Sequence, residues 1–264
     1  MDIARRCSGP ASADWRIWLL AGIAAVGAGG LVISQPLTQS LAYHGFADGR
    51  TLFGIPNALN VISNLPFTCF GLLGLIMLRA GNGIDMPPAL RRAYQIVSVG
   101  VFVTGFGSAY YHWAPGNATL LWDRLPMSVA FMGLFAAVLG ERVSLRAAAL
   151  GLWPLVGFGL ASVLYWHSFD DLRPYVLTQF YPLLAIPLMI ALFPPMYTRA
   201  ADFFGALGLY VVAKLLEEMD VPVYALIGGI VSGHTLKHLA AAGGAWWVLR
   251  MLRLRSPIAS APLQ

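Results

Sequence analysis

Apolar stretches of membrane-spanning length follow one another along this chain with little sequence between them. About 20 mainly apolar helical residues cross roughly 30 Å of hydrocarbon. Stretches near that length run at about 17–34, 57–78, 93–113, 119–140, 147–166, 174–193, 203–219 and 223–250. The pattern predicts an all-α, polytopic membrane helix bundle of eight spans. Pro87-Pro88 and Pro194-Pro195 punctuate two of the loops between them as helix breakers. No segment between the spans is long enough for a soluble domain, so function must reside in the bundle or on its short loops.

Composition agrees and narrows the class. With 58% hydrophobic and 11% charged residues and a mean hydropathy of +0.69, the chain lies outside the soluble globular range. Charge placement gives an orientation. If both termini face the cytoplasm, the inner segments hold Arg5, Arg6, Arg16, Arg79, Arg91, Arg92, Arg142, Arg146, Arg199, Arg250, Arg253 and Arg255, 12 of the 17 basic residues. Only Arg50 and Arg173 fall in outer loops, while Arg124, Lys214 and Lys237 fall within or at the edges of spans. That asymmetry follows the positive-inside rule. It reads the net charge of +5 as topology and contact with acidic lipid headgroups, not as nucleic-acid binding.

The N-terminus admits two readings. Arg5, Arg6 and Arg16 before an apolar run ending near Val32 fit either an uncleaved anchor or a signal peptide cut near Ser40-Leu41-Ala42. The run is longer than a usual signal core, which favours the anchor. Cys7 lies in the inner tail and Cys69 in mid-span, too far apart in depth to pair.

Against this apolar background, a few polar residues stand where lipid should be. Ser108 and His112 lie near the end of one span, Asp123 at the start of the next, and His234 and His238 inside the last. Ionisable side chains in membrane segments are costly to bury, so they face the bundle interior and mark functional sites. Counting at about 1.5 Å per helical residue from the inner face puts Ser108 and His234 near 24 Å, Asp123 near 27 Å, His112 near 30 Å and His238 near 18 Å. All five thus fall in the outer half of the membrane, within about two helical turns of one another. Residues four apart share a helical face, so Ser108 projects beside His112 and His234 beside His238. Two histidines at that interval can ligate one metal ion. Three histidines with a carboxylate and a hydroxyl are the parts of a zinc hydrolase. The competing reading is a hydrogen-bonded polar patch that holds helices together.

These residues carry a resemblance. Ser108-Ala-Tyr-Tyr-His112, then Asp123, then His234-Thr-Leu-Lys-His238, with Asn60-Val-Ile-Ser-Asn-Leu-Pro-Phe67 opening a span, resemble the alkaline ceramidase family, part of a wider superfamily of seven-span membrane hydrolases and receptors. The likeness covers roughly residues 55–250. It implies a seven-span hydrolase core at 46–252, preceded by a tail and one extra span at 1–45 and followed by a cytoplasmic tail at 253–264. It also implies that His112, His234 and His238 hold a catalytic zinc with a water, and that Ser108 and Asp123 stand next to it. One departure is plain. Calcium-dependent eukaryotic ceramidases carry an acidic, tryptophan-containing motif before the first core span, where this chain has Phe46-Ala-Asp-Gly-Arg-Thr-Leu-Phe-Gly-Ile-Pro56 with Asp48 as its one carboxylate. One carboxylate is too few for calcium, which takes six to eight oxygen ligands.

The chemistry implied is zinc-assisted hydrolysis of ceramide or a related N-acyl lipid drawn from the bilayer. Asp123 would move protons and Ser108 would hydrogen-bond the water or the developing oxyanion. The alternative is a non-enzymatic receptor, sensor or channel with a structural zinc.

Other polar residues carry plainer expectations. Asn57, Asn60 and Asn64 line one face of the second span and serve helix–helix hydrogen bonding or line a pocket. Lys214, Glu217, Glu218 and Asp220 read as a solvated helix end or, alternatively, a group that recognises a headgroup. Lys237, turned off the histidine face, pairs with a carboxylate or snorkels. His44, and His167 with Asp170, Asp171 and Arg173, read as loop surface. Tyr110, Tyr111, Trp113 and Trp122 read as an outer aromatic belt, some of them alternatively rimming the site entrance.

Overall fold

The computed structural model describes residues 14–79 and 84–258. Arg5, Arg6, Cys7 and the end of the C-terminal tail lie outside the described residues. Within them the chain is all-helical. The helices are α1 (Trp15–Ile33), α2 (Ala58–Ile62), α3 (Leu65–Met77), α4 (Pro88–Trp113), α5 (Asn117–Arg142), α6 (Leu145–Phe169), α7 (Arg173–Leu192), α8 (Asp202–Glu218), α9 (Asp220–Leu226) and α10 (Gly233–Leu254).

Among the described residues, five segments are long and apolar enough to cross a membrane: α1, α2 with α3, α5, α6 and α7. This is compatible with an integral membrane protein, as is the lipid-like surface that Val26, Leu72, Trp153 and Leu184 expose. The other three of the eight expected stretches differ for physical reasons. Helix α4 has the length, but Ser98, Thr104, Ser108 and His112, all buried, lower its hydropathy. Helix α8 is 17 residues long and ends in Glu217 and Glu218. The last stretch, expected at 223–250, is not one helix. Gly228 and Gly229 take φ of +68° and +74°, a left-handed turn that ends α9. Ser232 then starts α10 by accepting the Thr235 amide at 3.1 Å. His234 and His238 therefore sit in the first two turns of α10.

Helices α4 and α5 form the centre, flanked by α3, α6 and α7, while α10 packs on α8 and α3. The α4–α5 approach depends on Gly107, because a Cβ there would lie 2.0 Å from the Trp122 carbonyl oxygen. That contact sets Ser108 on one helix against Asp123 on the other. At the opposite end, Glu141 accepts from Tyr94 at 2.7 Å and pairs with Arg255, fastening the end of α10 to α4 and α5.

Helix α1 stands apart. It rests chiefly on α7, and Leu20 is its buried residue. The segment after it is nonetheless pinned: Asp171 accepts the Leu37 amide at 3.3 Å, Asp170 accepts the Gln39 amide at 3.1 Å, and Arg173 donates to the Ser34 carbonyl at 2.8 Å. Of the loop residues expected to be plain surface, Asp170, Asp171 and Arg173 instead dock this linker, while His167 is exposed. Asp171 is buried and paired with Arg173, whose hydrogen bond lowers its pKa.

Gly107→Leu should force α4 from α5. Overpacking of this kind costs about 1–3 kcal/mol, so thermal unfolding in detergent should show a fall of several degrees in Tm, and an unchanged midpoint would refute the contact.

Candidate metal centre

The last turn of α4 presents His112, and the first two turns of α10 present His234 and His238. The three rings meet edge to face, with centroids 4.8 Å (112–234), 4.7 Å (112–238) and 5.1 Å (234–238) apart. One nitrogen from each lies within 4.8 Å of the others, and all three residues are buried. Nε2 of His112 and Nε2 of His234 are 3.4 Å apart. These histidines converge, as their placement in the sequence predicts.

Each histidine is held by neighbours from other elements. Ser63, at the α2–α3 joint, hydrogen-bonds Nδ1 of His238 at 2.7 Å, which leaves Nε2 of that ring for another partner. Asp220, at the head of α9, accepts the His234 amide at 2.7 Å and the Ala47 amide at 2.9 Å. Asn57 donates to the His112 carbonyl at 2.9 Å. Asn60 accepts from Thr235 at 2.7 Å, tying α2 to α10, and donates to the Asp48 carbonyl at 3.3 Å. Phe46 lies over His112 and His234 with centroids at 4.7 and 4.6 Å. In contrast, Nδ1 of His112 is buried with no hydrogen-bond partner among the described residues. Three buried imidazoles, each able to offer one nitrogen to a common point, are the donor chemistry of a divalent metal site, and the set fits one.

Ser108 and Asp123 are buried side by side across the α4–α5 contact. With His238 they line one end of a cavity of about 420 Å³. The cavity continues between α3, α4, α5, α7, α8 and α10 along mainly apolar walls to Ile190 and Leu249. From His238 to Leu249 along α10 is about 16 Å at the helical rise.

Several expectations need correction. Of the group expected at a solvated helix end, Glu218 is exposed, but Lys214, Glu217 and Asp220 are not free in solvent. Glu217 points inward and bridges Lys214 and Lys237, and Tyr43 donates to it at 3.1 Å. Lys237 does pair with a carboxylate, as one reading of it held. Tyr111 is buried, donating or accepting at 2.9 Å with Nδ1 of His44, whereas Tyr110, Trp113 and Trp122 remain exposed. His44 is thus a bridge, since its Nε2 also meets Asn117 at 2.9 Å. The asparagine face of α2 serves helix–helix hydrogen bonding. Both oxygens of Asp48 are engaged by Arg50, at 2.8 Å each, and Arg50 reaches on to the Ile230 carbonyl at 2.7 Å. Those hydrogen bonds lower the Asp48 pKa.

Sequence reasoning passed over Ser63, Phe46, Tyr43 and Asp220 as parts of this centre. Only Ser63 carried a usable signal, lying between two of the asparagines on a polar stripe of an otherwise apolar span.

The ceramidase family model matches residues 54–252, about three quarters of the chain. The chain belongs to the ceramidase family. Membership implies a hydrolase of amides with ceramide as its lipid class. The matched region begins after α1, takes in Ser108, His112 and Asp123, and ends within α10 beyond His238. No curated protein matches the chain.

Asp220→Ala should release both the Ala47 and the His234 amides. Hydrogen exchange followed by mass spectrometry should show faster exchange in peptides covering both positions; unchanged protection would contradict the bridging role.

Proposed function

We propose that this protein is a zinc-dependent intramembrane amidohydrolase that cleaves the N-acyl amide of ceramide or a related N-acyl lipid to a sphingoid base and a fatty acid. The observation that carries this reading is the meeting of three buried imidazoles, one of which, His238, lines the head of a long apolar cavity together with Ser108 and Asp123. Tetrahedral zinc ligands at about 2.0–2.1 Å lie roughly 3.3 Å from each other, close to the 3.4 Å between His112 and His234.

His112, His234 and His238 would hold the zinc. When bound, the ion supplies a Lewis acid that polarises the carbonyl and makes water acidic near neutral pH. Asp123 takes the proton from the attacking water and delivers it to the leaving amine nitrogen. Ser108, beside it, donates to the carbonyl oxygen as negative charge develops there. The apolar walls hold the acyl chain and exclude bulk water from the acyl carbon. Ser63 fixes the orientation of His238 by its hydrogen bond.

The receptor reading calls for a zinc closed off by a fourth protein ligand. Three histidines beside a substrate-sized cavity favour the hydrolase instead. The arrangement also supports a seven-span core over 46–252 with α1 as an added span and 253–264 as a tail. The arginine distribution supports cytoplasmic termini with the site in the outer half.

Purified protein should retain about one zinc per chain by elemental mass spectrometry and release fatty acid from ceramide, and His234→Ala should lose both. Asp123→Asn should keep the metal while hydrolysis falls by about 10²–10⁴-fold. Ser63→Ala should weaken metal affinity about 10–100-fold. Zinc retention without release of fatty acid from any N-acyl lipid would overturn the enzymatic reading, and full hydrolysis by His234→Ala would overturn the ligand set.

A further inference from the structure

The polar end of the cavity carries more positive charge than its carboxylates balance. Arg124, Lys214 and Lys237 line it with Asp123 and Glu217. Glu217 is shared between the two lysines, and Tyr43 donates to it as well. Arg124 has no carboxylate of its own. It is 7% exposed, its guanidinium lies 4.2 Å from the Trp166 ring centroid and 5.0 Å from that of Tyr175, and Nη2 donates to the neutral Gln39 Oε1 at 2.6 Å. Its Nη1 has no hydrogen-bond partner among the described residues. Arg50, Arg173 and Arg255, by contrast, each close on a carboxylate. Asp123, next in sequence, acts on Arg124 as a neighbouring charge and not as a hydrogen-bond partner.

A buried guanidinium with an unused N–H is costly until an acceptor arrives. Its planar fork suits carboxylate and phosphate oxygens. The aromatic rings around Arg124 hold the fork in place while supplying no acceptor.

We propose that Arg124, backed by Lys237 and Lys214, forms a subsite for the oxyanion, carboxylate or phosphate, of a lipid bound in this cavity. This rests on the reading of the cavity as the substrate site of an amidohydrolase and narrows the class of lipid it takes. The oxyanion has two possible sources: an acidic group on the amine half of the N-acyl lipid, or the carboxylate of the released fatty acid.

Binding is measured first, without turnover. A fluorescent polyene fatty acid and its methyl ester are titrated into the purified, metal-loaded protein in neutral detergent, with energy transfer from tryptophan as the signal. The acid should bind about tenfold or more tighter than the ester, as a charge-assisted hydrogen bond predicts. Arg124→Gln should remove that preference and leave the affinity for the ester unchanged. Because a carboxylate can also ligate the metal proposed for this site, the comparison of acid with ester is repeated on the metal-free protein, and Arg124→Lys, which keeps the charge but loses the planar fork, serves as the second variant should Arg124→Gln misfold.

Turnover then separates the sources. Faster hydrolysis of a ceramide bearing a phosphate on its headgroup hydroxyl than of ceramide itself assigns the subsite to the substrate. Equal turnover, with inhibition by the fatty acid and not by its ester, assigns it to the product. Equal binding of acid and ester together with equal turnover of both ceramides overturns the subsite and leaves the amidohydrolase standing. A preference for the acid without hydrolysis of any lipid does the reverse.

Discussion

A polar group inside a lipid-facing bundle has no water to turn to, so each must find its partner within the protein. That constraint organises the half of this molecule that matters for function. His238 is answered by Ser63, the His234 amide by Asp220, Thr235 by Asn60, and the His112 carbonyl by Asn57. The partners come from α2, the α2–α3 joint and α9, the short and broken elements. The long helices bring the imidazoles near one another, and the short ones fix how they point. What stays unanswered is informative for the same reason: Nδ1 of His112 and Nη1 of Arg124 are the two unpartnered nitrogens nearest the chemistry.

Much of this was legible in the sequence because membranes make buried polarity conspicuous. Five ionisable or hydroxyl residues in apolar stretches, with four-residue spacings, point to one site from the sequence alone. The structure brings the three histidines together and sets Ser108 against Asp123. The helix-bundle class followed from hydropathy in the same way. Hydropathy is least clear where buried polar residues alter the composition. Helix α4 is long enough to span but is made less apolar by Ser98, Thr104, Ser108 and His112, and α10 starts ten residues later than its apolar pattern because two glycines turn the chain first.

Other features were out of reach for a different reason. Nothing local distinguishes a carboxylate that ends in water from one that turns inward, so Glu217 and Asp220 looked like a helix terminus. Their roles depend on Lys237, Tyr43 and Ala47, which are distant in sequence. Phe46 packs its ring, tilted, against two histidines, yet an aromatic residue in a loop carries no signature of that. The Asp48–Arg50 pair shows the same limit. The sequence counted one carboxylate against calcium, and only the fold shows a guanidinium held between that carboxylate and the Ile230 carbonyl, clasping two loops with a permanent charge.

Gln39 gives the N-terminal question a chemical edge. It lies in the linker after α1, docked on the α6–α7 loop, and its side-chain oxygen is the acceptor for Arg124. Proteolytic maturation near Ala42 would thus do more than discard a membrane helix. It would strip that guanidinium of its amide ligand and leave a second nitrogen seeking an acceptor at the cavity wall, so the processed and unprocessed chains would be two different receptors for the same lipid.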